Sequence, residues 1–204
     1  MSSDRRPKES IQKRQIKAVK WAISILLPSL LIFGFNQILI SWNLDHLVSA
    51  VQDSEEIMNS YSEAAMQNRP SSEEISNDWS EHGGDIDFVS VKDKWIQNTV
   101  APTALEYSNR YKAERIKIES LNLVTFDSGV KQARKEYIAH VKAWEKLLNQ
   151  IGTCRYYICI LDAHDAASES ISQTFRSSST EFSRISPLFD LYNISDRVAK
   201  IFDN

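Results

Sequence analysis

The sequence predicts an all-α protein, with a single N-terminal transmembrane helix followed by an extracytoplasmic bundle of four to five helices. Three observations support this prediction. Twenty consecutive residues near the N-terminus carry no charge, and later segments repeat apolar residues at three- and four-residue intervals. The 204 residues include only 5 Gly and 5 Pro, and so few helix-breaking residues favour long helices over many short strands.

Residues 1–20 form a basic tail. They contain seven Lys or Arg and two acidic residues, whereas the complete chain has a net charge of −3. Short segments rich in Lys and Arg stay on the cytoplasmic side of a membrane, so the tail is predicted to be cytoplasmic. Residues 43–204 then form an extracytoplasmic domain, anchored in the plasma membrane.

Residues 21–42 are predicted to span the membrane. The uncharged run between Trp21 and Trp42 reads AISILLPSLLIFGFNQILIS. A helix of twenty residues is about 30 Å long, which matches the thickness of the hydrocarbon core. Tryptophan is enriched at both membrane interfaces, so Trp21 and Trp42 are predicted to lie at the two surfaces of the bilayer.

A cleaved signal peptide is the alternative to a retained anchor. Val48-Ser49-Ala50 has the small-residue spacing that a signal peptidase accepts, which would place cleavage after Ala50. However, the apolar run is longer than a usual signal-peptide core, and this site lies late in the chain. We therefore expect the mature protein to retain residues 1–50.

A membrane-proximal helix is predicted at residues 43–68, where no Pro or Gly occurs. Its apolar positions recur every seven residues, although Ser54 interrupts the second set. Such a stripe either packs within a bundle or associates with another chain. The apolar positions are Leu44, Leu47, Val51, Met58, Tyr61 and Ala65.

Residues 69–90 are predicted to form an acidic polar loop region after Arg69-Pro70. It contains His82-Gly83-Gly84-Asp85, the best candidate for a mobile loop or lid. Glu81, His82 and Asp85 could form a metal or acid–base site, although polar residues of this kind are commonly solvated turn formers.

Helices are also predicted beyond this loop. One helical region covers 91–123 and restarts at Pro102, because proline fits the first helical turn. The strongest apolar stripe predicts a helix at 128–150, capped at its start by Asp127 or Ser128. Gly152 is predicted to be its C-terminal cap.

The C-terminal part predicts further helices with less regular stripes. Residues 177–180, Ser-Ser-Ser-Thr, are predicted to form a polar junction, followed by a terminal helix or helix pair that reaches Ile201. The segment 155–161 also has strand-like composition.

Cys154 and Cys159 are the only cysteines, and an even number in an exported domain indicates a disulfide. Within one ideal helix, residues five apart are rotated by about 140° and separated by about 7.5 Å along the axis, too far for a bond. A disulfide therefore requires a break between two helices at this point. Two buried free thiols are the alternative.

The order of His140, His164-Asp165, Asp190 and Asp196 resembles the ligand order of helical HD-type metal phosphohydrolases. This resemblance implies an anchored metal-dependent hydrolase. The chain departs from that family's pattern because Ala-Ala-Ser-Glu follows Asp165, where many such enzymes have glycine-lysine. His140 also lies at the edge of a strong apolar stripe, where structural histidines are common.

No catalytic motif is present: the chain lacks Gly-x-Ser-x-Gly, His-Glu-x-x-His and a phosphate-binding glycine loop. The sequence therefore predicts a non-enzymatic interaction or accessory module without cofactor or metal. Its expected partners are the lipid bilayer and a protein, or a second copy bound through the 43–68 helix. Twelve acids and two bases between residues 45 and 93 argue against nucleic acid.

A ligand-sensing domain is the alternative function, because a long helix leaving the membrane is typical of chemoreceptor-like sensor bundles. Such receptors have a second span, whereas this sequence ends at Asn204 without one. A sensor would therefore signal through a partner subunit or through the basic tail.

Overall fold

The computed structural model describes residues 6–81, 90–123, 127–185 and 190–202, with the side chains of 6–19 and of Ser90 outside that description. The described secondary structure is entirely helical, which confirms the predicted all-α class and its long apolar N-terminal helix. The helices are α1 (Arg6–Met66), α2 (Ser72–Glu81), α3 (Ser90–Trp95), α4 (Ala101–Ser120), α5 (Ser128–Thr153), α6 (Tyr157–Arg184) and α7 (Ile194–Phe202).

The first half of the bundle is an antiparallel pair formed by α1 and α4. Lys117 Nζ lies 2.6 Å from the carboxylate of Asp53, and the rings of Tyr61 and Tyr107 lie 5.6 Å apart. We call the end of the bundle near residue 40 of α1 the near end, and the end near Met66 the far end. Helix α4 therefore runs from the far end towards the near end.

Helices α5 and α6 complete an up-down-up-down arrangement with α1 and α4. The ring of His140 on α5 contacts Thr174 of α6 at 3.2 Å, and Ser177 donates to the carboxylate of Glu136 at 2.9 Å. Because these pairs run in opposite order along the two helices, α6 is antiparallel to α5. The predicted bundle of four to five helices is confirmed by these four helices together with the shorter α7.

The apolar stripe of the 43–68 segment packs inside this bundle. Leu44, Leu47 and Val51 are 0–1% exposed, and Met58 and Tyr61 pack against the same core. Of the two alternatives for this stripe, the structure therefore supports packing within the chain's own bundle. Self-association through the stripe would require the bundle to open.

A π-helical turn, Ile96–Val100, connects α3 to α4. The backbone N–H of Ala101 donates to the carbonyl of Ile96, one residue further back than in an α-helix, and Pro102 follows in the first turn of α4. Proline has no N–H to donate to the carbonyl four residues earlier. A widened helical turn immediately before Pro102 tolerates the absence of this hydrogen bond. The predicted restart at Pro102 is confirmed.

The predicted polar loop at 69–90 is wrong for the ten residues of α2. The hydroxyl of Ser71 accepts a hydrogen bond from the N–H of Glu74 at 3.1 Å, and the Glu74 carboxylate accepts one from the N–H of Ser71 at 2.7 Å. This reciprocal pair is a capping box, which fixes the start of a helix. The candidate lid residues 82–85 lie outside the described residues.

The predicted junction at 177–180 is also wrong, because α6 continues through it to Arg184. Ser178 is fully buried, and Thr180 Oγ1 donates to the carbonyl of Arg176 at 2.8 Å. The hydroxyl of Ser177 donates to Glu136 of α5, whereas the buried hydroxyl of Ser178 has no hydrogen-bond partner among the described residues.

Gly152 lies inside α5 and is not its C-terminal cap, contrary to the prediction. The cap is Cys154, with extended backbone, and its N–H donates to the carbonyl of Ile151 at 2.9 Å. A Cβ added at Gly152 would lie 2.4 Å from Cγ of Leu105 on α4. The glycine therefore permits close contact between two helices.

At the other end of α5, Asp127 is the N-cap, as predicted, and accepts from the N–H of Gly129.

Candidate functional site

The apolar segment of α1 projects from the bundle without covering side chains. Trp21, Leu31 and Phe35 are 73, 66 and 64% exposed, and the remaining large apolar residues between 21 and 38 are about half exposed or more. Soluble proteins rarely expose contiguous apolar surfaces of this size. Among the described residues, α1 is also the one helix that is long and apolar enough to cross a membrane.

Hydroxyl groups within this segment are hydrogen-bonded to their own helix. Ser24 Oγ donates to the carbonyl of Lys20 at 2.7 Å, and Ser29 Oγ donates to that of Ile25 at 2.8 Å. In hydrocarbon no water is present to satisfy a polar group, so internal partners of this kind are needed. The segment is chemically suited to lipid on its exposed sides.

The transition from bare helix to buried core is abrupt. Ile38 is 49% exposed, whereas Ile40 is 3% exposed and Leu44 is 1% exposed. Trp42 lies at this boundary, 43% exposed, with its ring edge-on to His46 at 4.6 Å. The same helix therefore provides the apolar segment and a central element of the bundle.

This continuity bears on the alternative of a cleaved signal peptide. Val48 and Ala50 are 0–1% exposed in the middle of an unbroken helix. Cleavage after Ala50 would separate the bundle from Leu44, Leu47 and Val48, all of which lie in its core. The packing thus supports retention of residues 1–50.

Helix α7 is attached to α1 at the near end by Arg197. Its guanidinium donates to the carboxylate of Asp45 at 2.5 Å, to the hydroxyl of Ser49 at 2.8 Å and to the side-chain oxygen of Gln52 at 2.8 Å. These partners lie one turn apart on one face of α1. They therefore hold α7 against that face.

Glu55 is a half-buried carboxylate at the edge of the core. The hydroxyl of Tyr137 donates to its carboxylate at 2.9 Å and lies 3.3 Å from the carbonyl of Val51. Burial raises the pKa of Glu55, and burial together with the nearby Glu55 charge raises the pKa of Tyr137 well above its usual value. Sequence reasoning missed this pair, because its members are 82 residues apart and belong to no motif.

His140 lies in an aromatic cluster between α5 and α6. Its Nε2 accepts from the indole N–H of Trp144 at 3.2 Å, and its Nδ1 lies 3.2 Å from the hydroxyl of Thr174. Thr174 donates its proton to a backbone carbonyl of α6, so the ring donates from Nδ1 and is neutral. Burial lowers the pKa of His140 to about 4.

The residues that resemble HD-type ligands occupy different environments. His140 is buried, whereas His164 and Asp165 are exposed on α6. The carboxylate of Asp190 accepts hydrogen bonds from the N–H groups of Ile194 and Ser195, and thereby caps α7. Within the described ranges, no group of three or more His, Cys, Asp or Glu is arranged to hold a metal ion.

Cys154 and Cys159 are paired, with their sulfur atoms 2.03 Å apart and their Cα atoms 5.5 Å apart. Cys154 ends α5, and Cys159 lies in the first turn of α6 after a short non-helical connection. The predicted helix break at this point is confirmed, and α6 replaces the strand-like reading of 155–161. The alternative of two free thiols is wrong for this structure, because neither cysteine is free.

We expect replacement of both Cys154 and Cys159 by serine to leave the fold intact. The bond closes a very short loop, so on the chain-entropy model its loss lowers the free energy of unfolding by roughly 2 kcal/mol. Urea unfolding of the double variant and the parent measures this difference. Full thiol labelling of the unfolded but unreduced parent would contradict the pairing.

We also expect His140 to make stability fall as the pH is lowered from 6.5 to 4. The neutral ring is the folded form, and the pKa is about 4 in the folded chain against 6.5 ordinarily. Its contribution is therefore complete above pH 6.5 and decreases by roughly 3 kcal/mol by pH 4. Glu55 has a raised pKa and acts in the opposite direction, so variants are needed to isolate His140.

Urea unfolding of His140→Gln at pH 7 and pH 4 provides that isolation. The variant should lose less stability over this interval than the parent does. His164→Gln is the matched control, because His164 is exposed on α6. An unchanged pH dependence in His140→Gln would contradict the assignment of a neutral core histidine.

The far end carries a second exposed apolar surface, next to the disulfide. We call Tyr156, Tyr157, Ile158 and Leu161 the far-end patch, since these residues are 61, 38, 56 and 45% exposed. The N–H of Tyr157 donates to Asp93 at 3.2 Å, and Lys92 Nζ lies 4.7 Å from the centre of the Tyr157 ring. Contacts with α3 thus fix the backbone of the patch while its side chains stay exposed.

No protein-family model matches this chain, and no curated protein or solved structure matches it either. Any function therefore has to follow from the chain's own residues.

Proposed function

We propose that this chain is a single-pass membrane protein whose helical bundle holds a protein partner close to the membrane, without catalytic chemistry of its own. The carrying observation is the continuity of α1, in which a bare apolar segment leads within one turn into a buried core helix. A bundle built on its own membrane helix cannot leave the membrane without exposing the bare apolar side chains between residues 21 and 38 to water. The bundle is therefore suited to act at a fixed position on the membrane.

The orientation in this proposal has the tail at 1–20 in the cytoplasm and the bundle outside, in the plasma membrane. The excess of Lys and Arg before the span supports it. The disulfide supports it too, because such bonds persist in extracytoplasmic, oxidising compartments.

The far-end patch is the proposed contact surface for the protein partner. Two of its residues are tyrosines, a type that is enriched in protein interfaces, and all four contribute apolar surface of the kind found at interface centres. The apolar stripe of 43–68 is occupied inside the bundle, so the patch replaces it as the surface for a partner.

Site-specific photo-crosslinking in cells tests the proposed contact. A benzophenone amino acid at Ile158 should give a discrete protein adduct. The same probe at Ile116 is the matched control, because Ile116 is similarly exposed, 53% against 56%, but lies on α4 outside the patch. Equal adduct formation at the two positions, or none at Ile158, would contradict the proposal.

Ligand sensing is the second candidate, and it is favoured by a polar groove on the surface between α4 and α5. The groove has a volume of about 580 Å³ and is lined by Arg115, Lys142, Glu145, Lys146, Asn149, Gln150 and Thr153. Arg115 and Glu145 are already paired at 2.9 Å, so a ligand would have to compete with this ion pair. A rise in melting temperature with a small carboxylate or phosphate, abolished by Lys146→Ala, would favour sensing over the interaction module.

A further inference from the structure

The near end of the bundle begins where the hydrocarbon of a membrane would end. Twenty residues from Trp21 span about 30 Å, which brings α1 to Ile40 at the membrane surface. Ile40 is already 3% exposed because the bundle covers it. The structure therefore leaves no stalk between a bilayer and the bundle, and the near end lies against the lipid.

The direction of α7 decides which of its ends faces the bilayer. Arg197 contacts Asp45 and Gln52 of α1, so α7 lies beside the part of α1 just above the span. At the C-terminal end of α7, the ring of Phe202 lies 5.3 Å from both Phe175 and Phe182 of α6. Phe175 lies 5.3 Å from His140, which is one turn beyond Tyr137 on α5. The hydroxyl of Tyr137 contacts Val51 and Glu55 of α1, so Phe202 lies farther from the near end than Arg197 does. The N-terminus of α7 consequently points towards the membrane.

The turn that precedes α7 lies at about the height of Trp42. Ile194 is three residues before Arg197, which places it about 4.5 Å closer to the membrane. Trp42 is seven residues before Ser49, the central partner of Arg197, and so lies about 10 Å closer. The residues just before Ile194 extend the turn from the height of Ile194 down to that of Trp42.

This turn exposes apolar side chains. Leu191 is 58% exposed and Tyr192 is 40% exposed, and Asn193 closes the turn with a φ of 51°. The charge of Asp190 is partly compensated by the helix terminus, since its carboxylate accepts from the N–H groups of Ile194 and Ser195. An aliphatic residue and a tyrosine side by side are the kind of pair that membrane interfaces favour.

We propose that the turn at Leu191–Tyr192 is a second lipid contact, inserted beside α1 at the boundary between head groups and acyl chains. This inference rests on the proposed membrane anchoring. Two contacts on different helices, joined through Arg197, fix the rotation and tilt of the bundle on the bilayer. The far-end patch is then held at a set height and direction.

Fluorescence of the full chain in phosphatidylcholine nanodiscs tests this contact. Leu191→Cys is labelled with the environment-sensitive dye NBD, and the native cysteines do not react because they are bonded to each other. Met66→Cys is the matched control at the far end, since Met66 is 52% exposed. Leu30→Cys reports on the anchor. Unchanged circular dichroism shows that each labelled chain is folded.

We expect the dye at position 191 to be quenched about twofold or more by lipids with a shallow nitroxide, because an inserted side chain reaches roughly 5–10 Å into the boundary. The dye at Met66 should be unaffected, and the dye at Leu30 should be quenched by deeper nitroxides.

Quenching at Leu30 but not at Leu191 would overturn the second contact and leave the anchor standing. A blue-shifted but unquenched dye at Leu191 would also overturn it, because burial would then be against protein. No quenching at Leu30 would overturn both the anchor and this inference.

Discussion

A chain that begins at Leu39 is expected to fold as a soluble bundle, whereas a chain that begins at Val51 is expected to remain unfolded. The difference between the two is the segment 39–50, which supplies Ile40, Leu44, Leu47 and Val48 to the core. Burying each of these side chains contributes about 1.5–3 kcal/mol, so the segment contributes about 6–12 kcal/mol. That is as large as the whole stability of a typical domain, about 5–15 kcal/mol.

The shorter chain also loses two partners of Arg197, Asp45 and Ser49, so the attachment of α7 to α1 is weakened and depends on Gln52 alone. Circular dichroism and urea unfolding of both chains measure the effect, with a cooperative transition expected for the Leu39 chain alone. Cooperative unfolding of the Val51 chain at similar urea concentration would show that the near half of α1 is dispensable. It would also restore cleavage after Ala50 as a compatible process.

The double variant Leu30→Arg with Leu31→Arg is expected to lose its integration into membranes. Both residues are central in the apolar segment and are 65–66% exposed. Arginine at the centre of a transmembrane helix is disfavoured by about 3 kcal/mol relative to leucine, so two replacements cost about 6 kcal/mol. Insertion should therefore become unfavourable by several powers of ten.

Extraction of membranes with alkaline carbonate measures integration, because it removes proteins that are only adsorbed. The control is Ile158→Arg with Leu161→Arg, which places the same two charges on exposed apolar residues of the far-end patch. This control should stay in the membrane pellet, and the Leu30/Leu31 variant should not. If both variants sediment equally, the apolar segment is not the anchor.

The helices with the clearest apolar periodicity were predicted well, and those specified by a few polar contacts were not. The stripe from Val130 to Ile151 identified α5 almost to its ends, because burial of one face determines where such a helix forms. Helix α2 has no buried residue and depends on the capping box of Ser71 and Glu74. That signal was present in the sequence, but the polar composition around it favoured a loop.

The remaining differences arise from contacts between distant parts of the chain. By its local sequence Gly152 predicts a helix terminator, although its role is to admit Leu105 of a neighbouring helix. The partners of Arg197 lie 145 to 152 residues away, and no local pattern indicates them. Such residues can be identified only after the arrangement of the helices is known, and the near-end surface around Leu191 is of the same kind.

Protease access to terminal tags measures most directly whether this chain is anchored by one span with its bundle outside. The experiment uses cells whose outer wall or envelope has been removed and whose plasma membrane is intact. A tag placed after Asn204 should be digested by added protease, and a tag placed before Met1 should be digested only after detergent is added. Protection of the tag after Asn204 together with digestion of the tag before Met1 would contradict the proposed orientation. Digestion of both tags without detergent would contradict the membrane span itself.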